Sequence, residues 1–239
     1  MLTIDPQMTL GALVTARPEL AREFERRGFD YCCGGGRSLA EACDERGLDP
    51  VVTVSELTAA SSTVNAAEWS TMAPAALVDH LESTHHRYLW DEMPRLSALI
   101  AKVVSVHGER HPELHTIATC YEEIRGDLEP HMSKEEQVLF PMIRELDGAT
   151  SPPSFHCGTL RNPISVMMRE HDRVGELLLD LRRLTNDYQP PADGCVSYTT
   201  CFAALADLEA DTHLHIHKEN NLLFPMVVRL ETELAGAPR

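Results

Sequence analysis

Apolar residues recur at alternating steps of three and four along four stretches of this chain, about residues 74–107, 112–146, 160–188 and 196–233. That period is one face of an α-helix turned toward a core. The first stripe runs His86, Leu89, Met93, Leu96, Ile100 and Val103, and the second Ile117, Tyr121, Ile124, Leu128, His131, Glu135, Val138 and Met142. The third is Ile164, Met167, His171, Val174, Leu178 and Leu181. The fourth is Cys201, Leu205, Leu208, Thr212, His215, Glu219, Leu222 and Met226. Short breaks at 108–112, 148–153 and 189–194 contain Gly and Pro. The pattern predicts an all-α chain with an up-down-up-down four-helix bundle over residues 73–235.

Residues 1–57 punctuate more often. Thr9 suits a helix N-cap, Pro18 a first helical turn and Gly28 the stop after it. Cys32-Cys33-Gly34-Gly35-Gly36 reads as a turn. Ser38-Leu39-Ala40-Glu41 then reads as a capping box opening a helix that ends near Gly47, with a further short helix from about Ser55. These signals predict a small helical domain at 1–57. The small, polar residues 58–72 suit a linker to the bundle.

Six polar residues sit where the bundle stripes call for leucine. Residues 131–143 (HMSKEEQVLFPMI) and 215–227 (HIHKENNLLFPMV) share the pattern His-x-x-Lys-Glu-x-x-x-Leu-Phe-Pro-Met-aliphatic, 84 residues apart. His86 and His171 precede the two copies by 45 and 44 residues. The bundle is therefore two similar hairpins, each offering one lone histidine and one His-x3-Glu pair. A buried carboxylate or imidazole without a partner is costly, and six at matching levels neutralise one another when cations lie between them. His86, His131, Glu135, His171, His215 and Glu219 are thus the candidate metal ligands, two imidazoles per metal with both carboxylates able to bridge. Nitrogen and oxygen donors without thiolate suit iron or manganese better than zinc, and redox-capable iron fits best. The ligand count leaves positions for an oxo or hydroxo bridge and for an incoming molecule. Asp127 and Asp211, four residues before His131 and His215, are candidates to hold the second imidazole nitrogens. His80, His85, His107, His111, His115, His156, His213 and His217 fall off this pattern, and ordinary surface roles are expected for most of them.

Lys and Arg number 21 against 37 Asp and Glu, a formal net charge of −16. That balance argues against a nucleic-acid footprint, which needs a basic face. No stretch has the length and apolarity of a membrane span. The opening MLTIDPQMTLGALV lacks a basic start and a long apolar run, and the seven scattered cysteines are no disulfide framework. A reducing cytoplasm is the expected compartment.

The bundle resembles the haemerythrin-like family, and the whole chain resembles the "repair of iron centres" proteins. The resemblance rests on Tyr31-Cys32-Cys33-Gly34-Gly35, on the two His-x-x-Lys-Glu…Leu-Phe-Pro segments and on Glu170-His171-Asp172, and it covers residues 1–230. It implies a di-iron site on the six residues already named, and restoration of iron–sulfur clusters damaged by nitric oxide or peroxide, by donation of iron to client proteins. It also leaves open reduction of nitric oxide at the two irons, or binding and sensing of oxygen or nitric oxide. Met167 and Gly175 flank His171 where an oxygen carrier has a further histidine, which speaks against oxygen storage. A homodimer through the small domain is implied by the resemblance alone.

Cys32 and Cys33 are the candidate reactive residues. Adjacent cysteines close a disulfide on each other only under strain. The glycine amides and the helix opening near Ser38 are expected to favour thiolate, making one cysteine reactive or a soft iron ligand that hands over iron or reducing equivalents.

Overall fold

The computed structural model describes residues 4–60 and 68–236. The chain is all-α, a helical bundle following a small N-terminal helical part. Of the segment expected to be a linker, residues 61–67 lie outside the described residues. Residues 58–60 finish a helix, and Glu68–Thr71 form a 3-10 turn.

In the N-terminal part, α1 (Leu10–Ala16) is capped by the Thr9 hydroxyl, which accepts from the Ala12 N–H at 3.2 Å. Helix α2 (Leu20–Arg27) ends at Gly28, whose φ of 65° is the left-handed conformation glycine adopts freely. Helix α3 (Leu39–Arg46) opens with the Ser38/Glu41 capping box and stops at Gly47. Helix α4 (Pro50–Ala60) begins earlier than its sequence suggests. The Asp49 carboxylate takes the N–H groups of Val51 and Val52 at 2.8 and 3.1 Å, and proline sits at the first helical position. Leu10, Leu13, Leu20, Phe24, Leu39 and Leu57 are fully buried.

The first bundle stretch is α5 (Pro74–Leu81), a π-helical turn (Glu82–His86) and α6 (Arg87–His107). The second is α7 (Glu113–Lys134), a π-turn (Glu135–Leu139) and α8 (Phe140–Asp147). The third is α9 (Arg161–Leu184). The fourth is α10 (Val196–Lys218), a π-turn (Glu219–Leu223) and α11 (Phe224–Gly236). The third helix ends before its predicted limit near residue 188, because Asn186, Asp187 and Tyr188 all take positive φ. Among the described residues no helix is long and apolar enough to cross a membrane.

Two of the π-turns follow from the repeat itself. Phe140 N–H bonds the Glu135 carbonyl, and Phe224 N–H bonds that of Glu219, five residues back in each case. The next residue is proline in both copies, Pro141 and Pro225. Proline has no N–H for the carbonyl four residues earlier, and its ring crowds that carbonyl, so a widened turn relieves both conflicts. No proline explains the turn at Glu82–His86. The extra residue in each turn displaces the stripe by one. Val138, expected in the core, is 40% exposed, while Leu139, Phe140 and Ile143 are buried. On the fourth helix the core position moves from Met226 to Val227.

The residues pack as two compact units, one drawn from within Met1–His80, Met142–Arg161 and His213–Arg239, the other from Leu81–Pro141 and Asn162–Thr212. In the second unit, Leu89, Met93, Leu96 and Ile100 of α6 and Ile117, Tyr121 and Ile124 of α7 are buried, and the Tyr121 hydroxyl donates to the Met93 carbonyl at 2.7 Å. In the first, the Tyr31–Gly36 turn sits on the π-turn of the fourth helix. Asn221 Nδ2 donates to the Cys32 carbonyl at 2.9 Å and to that of Tyr31 at 3.3 Å. Gly11 N–H bonds the Gly35 carbonyl at 2.9 Å. His217 is fully buried, its ring centroid 5.7 Å from Tyr31 and 6.0 Å from Trp69, with Nε2 3.2 Å from the Thr15 hydroxyl. Burial pushes its imidazole down to about 4. The surface role expected for His217 is thus replaced by a core one.

A β-carbon on Gly35 would meet Asn221 Oδ1 at 2.3 Å and the Tyr31 carbonyl at 2.5 Å, whereas one on Gly36 would meet nothing within 4 Å. Gly35→Ala is expected to cost about 1–3 kcal/mol as a fall in denaturant midpoint, with Gly36→Ala close to wild type. Equal midpoints for the two variants would contradict this packing.

Candidate metal centre

Five of the six candidate ligands lie in the π-turns or in the turn of helix just before them. His86 is the last residue of the first π-turn, and Glu135 and Glu219 are the first residues of the other two. His131 and His215 lie one helical turn before those glutamates, on α7 and α10, and His171 lies midway along α9. All six are buried to within 1%.

In the second unit, Nε2 of His86 and of His131 approach Glu135 Oε2 at 3.5 and 3.3 Å. His171 Nε2 lies 3.0 Å from His131 Nε2. In the first unit, His215 Nε2 lies 3.1 Å from Glu219 Oε1. Two groups of ligand atoms, each within 4.8 Å of one another, comprise His86, Glu135, His215 and Glu219, and His131, Glu135, His171 and Glu219. Both glutamates belong to both groups, and each group contains two imidazoles.

The outward nitrogens of two of these histidines are fixed by carboxylates. His86 Nδ1 donates to Glu136 Oε1 at 2.9 Å, and the same oxygen accepts from Trp90 Nε1 at 2.9 Å. The His86 ring stacks on Phe140, centroids 5.3 Å apart. His131 Nδ1 donates to Glu170 Oε2 at 2.9 Å, while Lys134 Nζ bonds the other oxygen of Glu170. A carboxylate only accepts, so Nδ1 carries the hydrogen and the Nε2 lone pair is turned inward. The His131 bond and the Lys134 ammonium hold the Glu170 carboxyl down at about 2.

The expectation for Asp127 and Asp211 is therefore corrected. Asp127 faces Arg173 at 3.5 Å, and Asp211 holds His85 Nδ1 at 2.9 Å. Glu136, the residue after Glu135, and Glu170, the residue before His171, hold the outward nitrogens of His86 and His131 instead. Their adjacency to proposed ligands was visible in the sequence, but the helix facing each one was not. His85 and His107 are also buried, the latter with Nε2 3.1 Å from Cys195 Sγ.

The donor set fits iron. Imidazole nitrogens and carboxylate oxygens form it, no thiolate enters, and two carboxylates are held at zero exposure where their charge needs a cation.

Cys32 and Cys33 lie elsewhere, in the N-terminal turn. The Cys33 thiol, burial and the Asp30 carboxylate raise the Cys32 thiol well above its ordinary range. The amides expected to stabilise a thiolate are taken, since Cys33 N–H and Gly34 N–H both donate to the Asp30 carboxylate at 2.9 Å. The N-terminus of α3 is likewise occupied by its own capping box.

Residues 77–227 match the Hemerythrin HHE cation binding domain, and residues 6–61 match a Domain of Unknown function (DUF542). The chain is 33% identical over 216 residues to the Iron-sulfur cluster repair protein YtfE of Enterobacter sp. (strain 638), covering 90% of this chain and 94% of that one. It is 33% identical over 224 residues to the protein of that name from Yersinia pseudotuberculosis serotype IB, covering 93% and 97%. With that of Escherichia coli O81 it shares 32% identity over 216 residues.

Removing the acceptor behind a ligand loosens it without deleting it. Glu136→Ala and Glu170→Ala are each expected to weaken metal binding about 10–100-fold in competition with a chelator, and Asp127→Ala to leave it unchanged. Wild-type affinity in both glutamate variants would show that these carboxylates do not orient the imidazoles.

Proposed function

Because the chain belongs to the haemerythrin HHE cation-binding family, among the repair-of-iron-centres proteins, we propose that it restores damaged iron–sulfur clusters by donating iron. The single observation that carries this reading is the pair of overlapping His/Glu groups sharing Glu135 and Glu219. Two irons fit that arrangement, with His86 and His215 on one, His131 and His171 on the other, and the two carboxylates spanning both. An oxo or hydroxo bridge would complete such a pair. When bound, the irons supply Lewis acidity, redox capacity and the cargo itself.

The surrounding residues serve a site that holds metal and gives it up. Glu136 and Glu170 keep two imidazoles aimed inward, so binding needs no reorientation of the rings. No thiolate anchors either group, which keeps the donor set exchangeable for iron. Cys32 and Cys33 act as the hand-over residues, toward clients that are iron–sulfur proteins damaged under nitrosative or oxidative stress. The relatives' names favour repair over nitric oxide reduction or ligand sensing. No disulfide joins any of the cysteines among the described residues, which suits a reducing cytoplasm.

The test mixes iron-filled protein with an iron-depleted cluster enzyme and follows both enzyme activity and retained iron. Wild-type protein is expected to restore activity while losing iron in step, and His171→Ala protein to do neither. No recovery, with the iron retained, would sink the donor reading.

A further inference from the structure

A third cluster, apart from the His/Glu groups, has metal-ligating chemistry of its own. Asp30, Cys32 and Cys33 each offer a ligand atom within 4.8 Å of the others. Cys32 Sγ lies 3.4 Å from Asp30 Oδ1 and 3.9 Å from Cys33 Sγ. Around a divalent ion held by sulfur at about 2.3 Å and carboxylate oxygen at about 2.0 Å, tetrahedral angles place two sulfurs about 3.8 Å apart and sulfur and oxygen about 3.5 Å apart. The two spacings from Cys32 Sγ are close to those values, and the third pair lies within 4.8 Å.

The loop that carries them is fixed from both sides. The Asp30 carboxylate is held by the amides of Cys33 and Gly34, each at 2.9 Å. Gly34 permits that approach, since a β-carbon there would lie 2.9 Å from Asp30 Oδ2. From the other side Asn221, two residues beyond Glu219 on the same π-turn, grips the Cys32 carbonyl. Asp30 is exposed and Cys33 half-buried, so the cluster opens to solvent. The gripping residues belong to one copy of the repeat: Asn220 and Asn221 stand where the first copy has Glu136 and Gln137.

We propose that Asp30, Cys32 and Cys33 form a second metal site, a three-ligand seat for a borderline divalent cation, Fe2+ in function, whose fourth position is taken by an incoming ligand. On binding, the two S–H bonds break, two metal–sulfur bonds form, and two protons pass to solvent. No electron moves. Three ligands make the seat one for exchange, where a closed four-ligand site would retain the ion. Its use as a way station for iron rests on the donor reading above, while its binding chemistry does not.

The test is Co2+ titration of the full-length protein with its His/Glu site already filled with iron. A thiolate-to-cobalt charge-transfer band is expected, saturating at one Co2+ per chain and lost in Cys32→Ser and Cys33→Ser. Asp30→Asn is expected to raise the dissociation constant about tenfold or more. In the wild-type protein, which needs no variant to fold, Co2+ is expected to shield Cys33 from alkylation. Absence of the band, its persistence in Cys33→Ser, or unchanged alkylation with Co2+ present would each overturn the seat. A band alongside failed cluster repair would remove the donor reading and leave the seat standing; repair without a band would do the reverse.

Discussion

The structure depends on two carboxylates, Glu135 and Glu219, held at zero exposure. Charge in such a place is stable only beside compensating charge, and the neighbours that approach them are imidazole nitrogens. Neutral histidines do not balance carboxylates; cations do. The surrounding design serves that need. Glu136 and Glu170 set the tautomers of His86 and His131, and Trp90, Phe140 and Lys134 fix those carboxylates and rings in turn. The site is thus two layers of polar groups inside a helical core, the outer layer partly exposed and the inner one not.

The backbone takes part as well. Where regular α-helix would carry the stripe through unchanged, the π-turns add a residue at Glu135 and Glu219. The Leu-Phe-Pro that follows each glutamate supplies the cause, because proline leaves a carbonyl without a donor and crowds it. Widened turns of this kind recur at functional positions. Here they begin at the very residues on which both His/Glu groups depend.

Much of this was legible in the sequence, and the failures are informative. The stripes placed the six polar residues on core faces, and caps at Thr9, Ser38, Gly28 and Gly47 stand where their chemistry requires. The stripe failed beyond Glu135 because a fixed period cannot anticipate an inserted residue, so Val138 is exposed and Leu139 buried. Asp127 and Asp211 looked suitable as histidine acceptors by spacing along one helix, but the acceptors found for His86 and His131 come from other helices, which a one-dimensional period does not report. The cysteine turn shows the same limit. Its glycine amides were visible, but their capture by Asp30 is a property of the folded turn.

The two copies of the repeat have diverged where they meet different surroundings. His217, Asn220 and Asn221 of the second copy replace Ser133, Glu136 and Gln137 of the first, and in the second copy they hold the cysteine turn. Lys218 is buried near His80 and Trp69, where its counterpart Lys134 is exposed. The central claim is that shared carboxylates pair two irons in this core. Mössbauer spectroscopy of the protein filled with iron-57, read together with iron per chain, tests it most directly. The account predicts two irons per chain in one magnetically coupled pair. One iron per chain, or two that are magnetically independent, would contradict it.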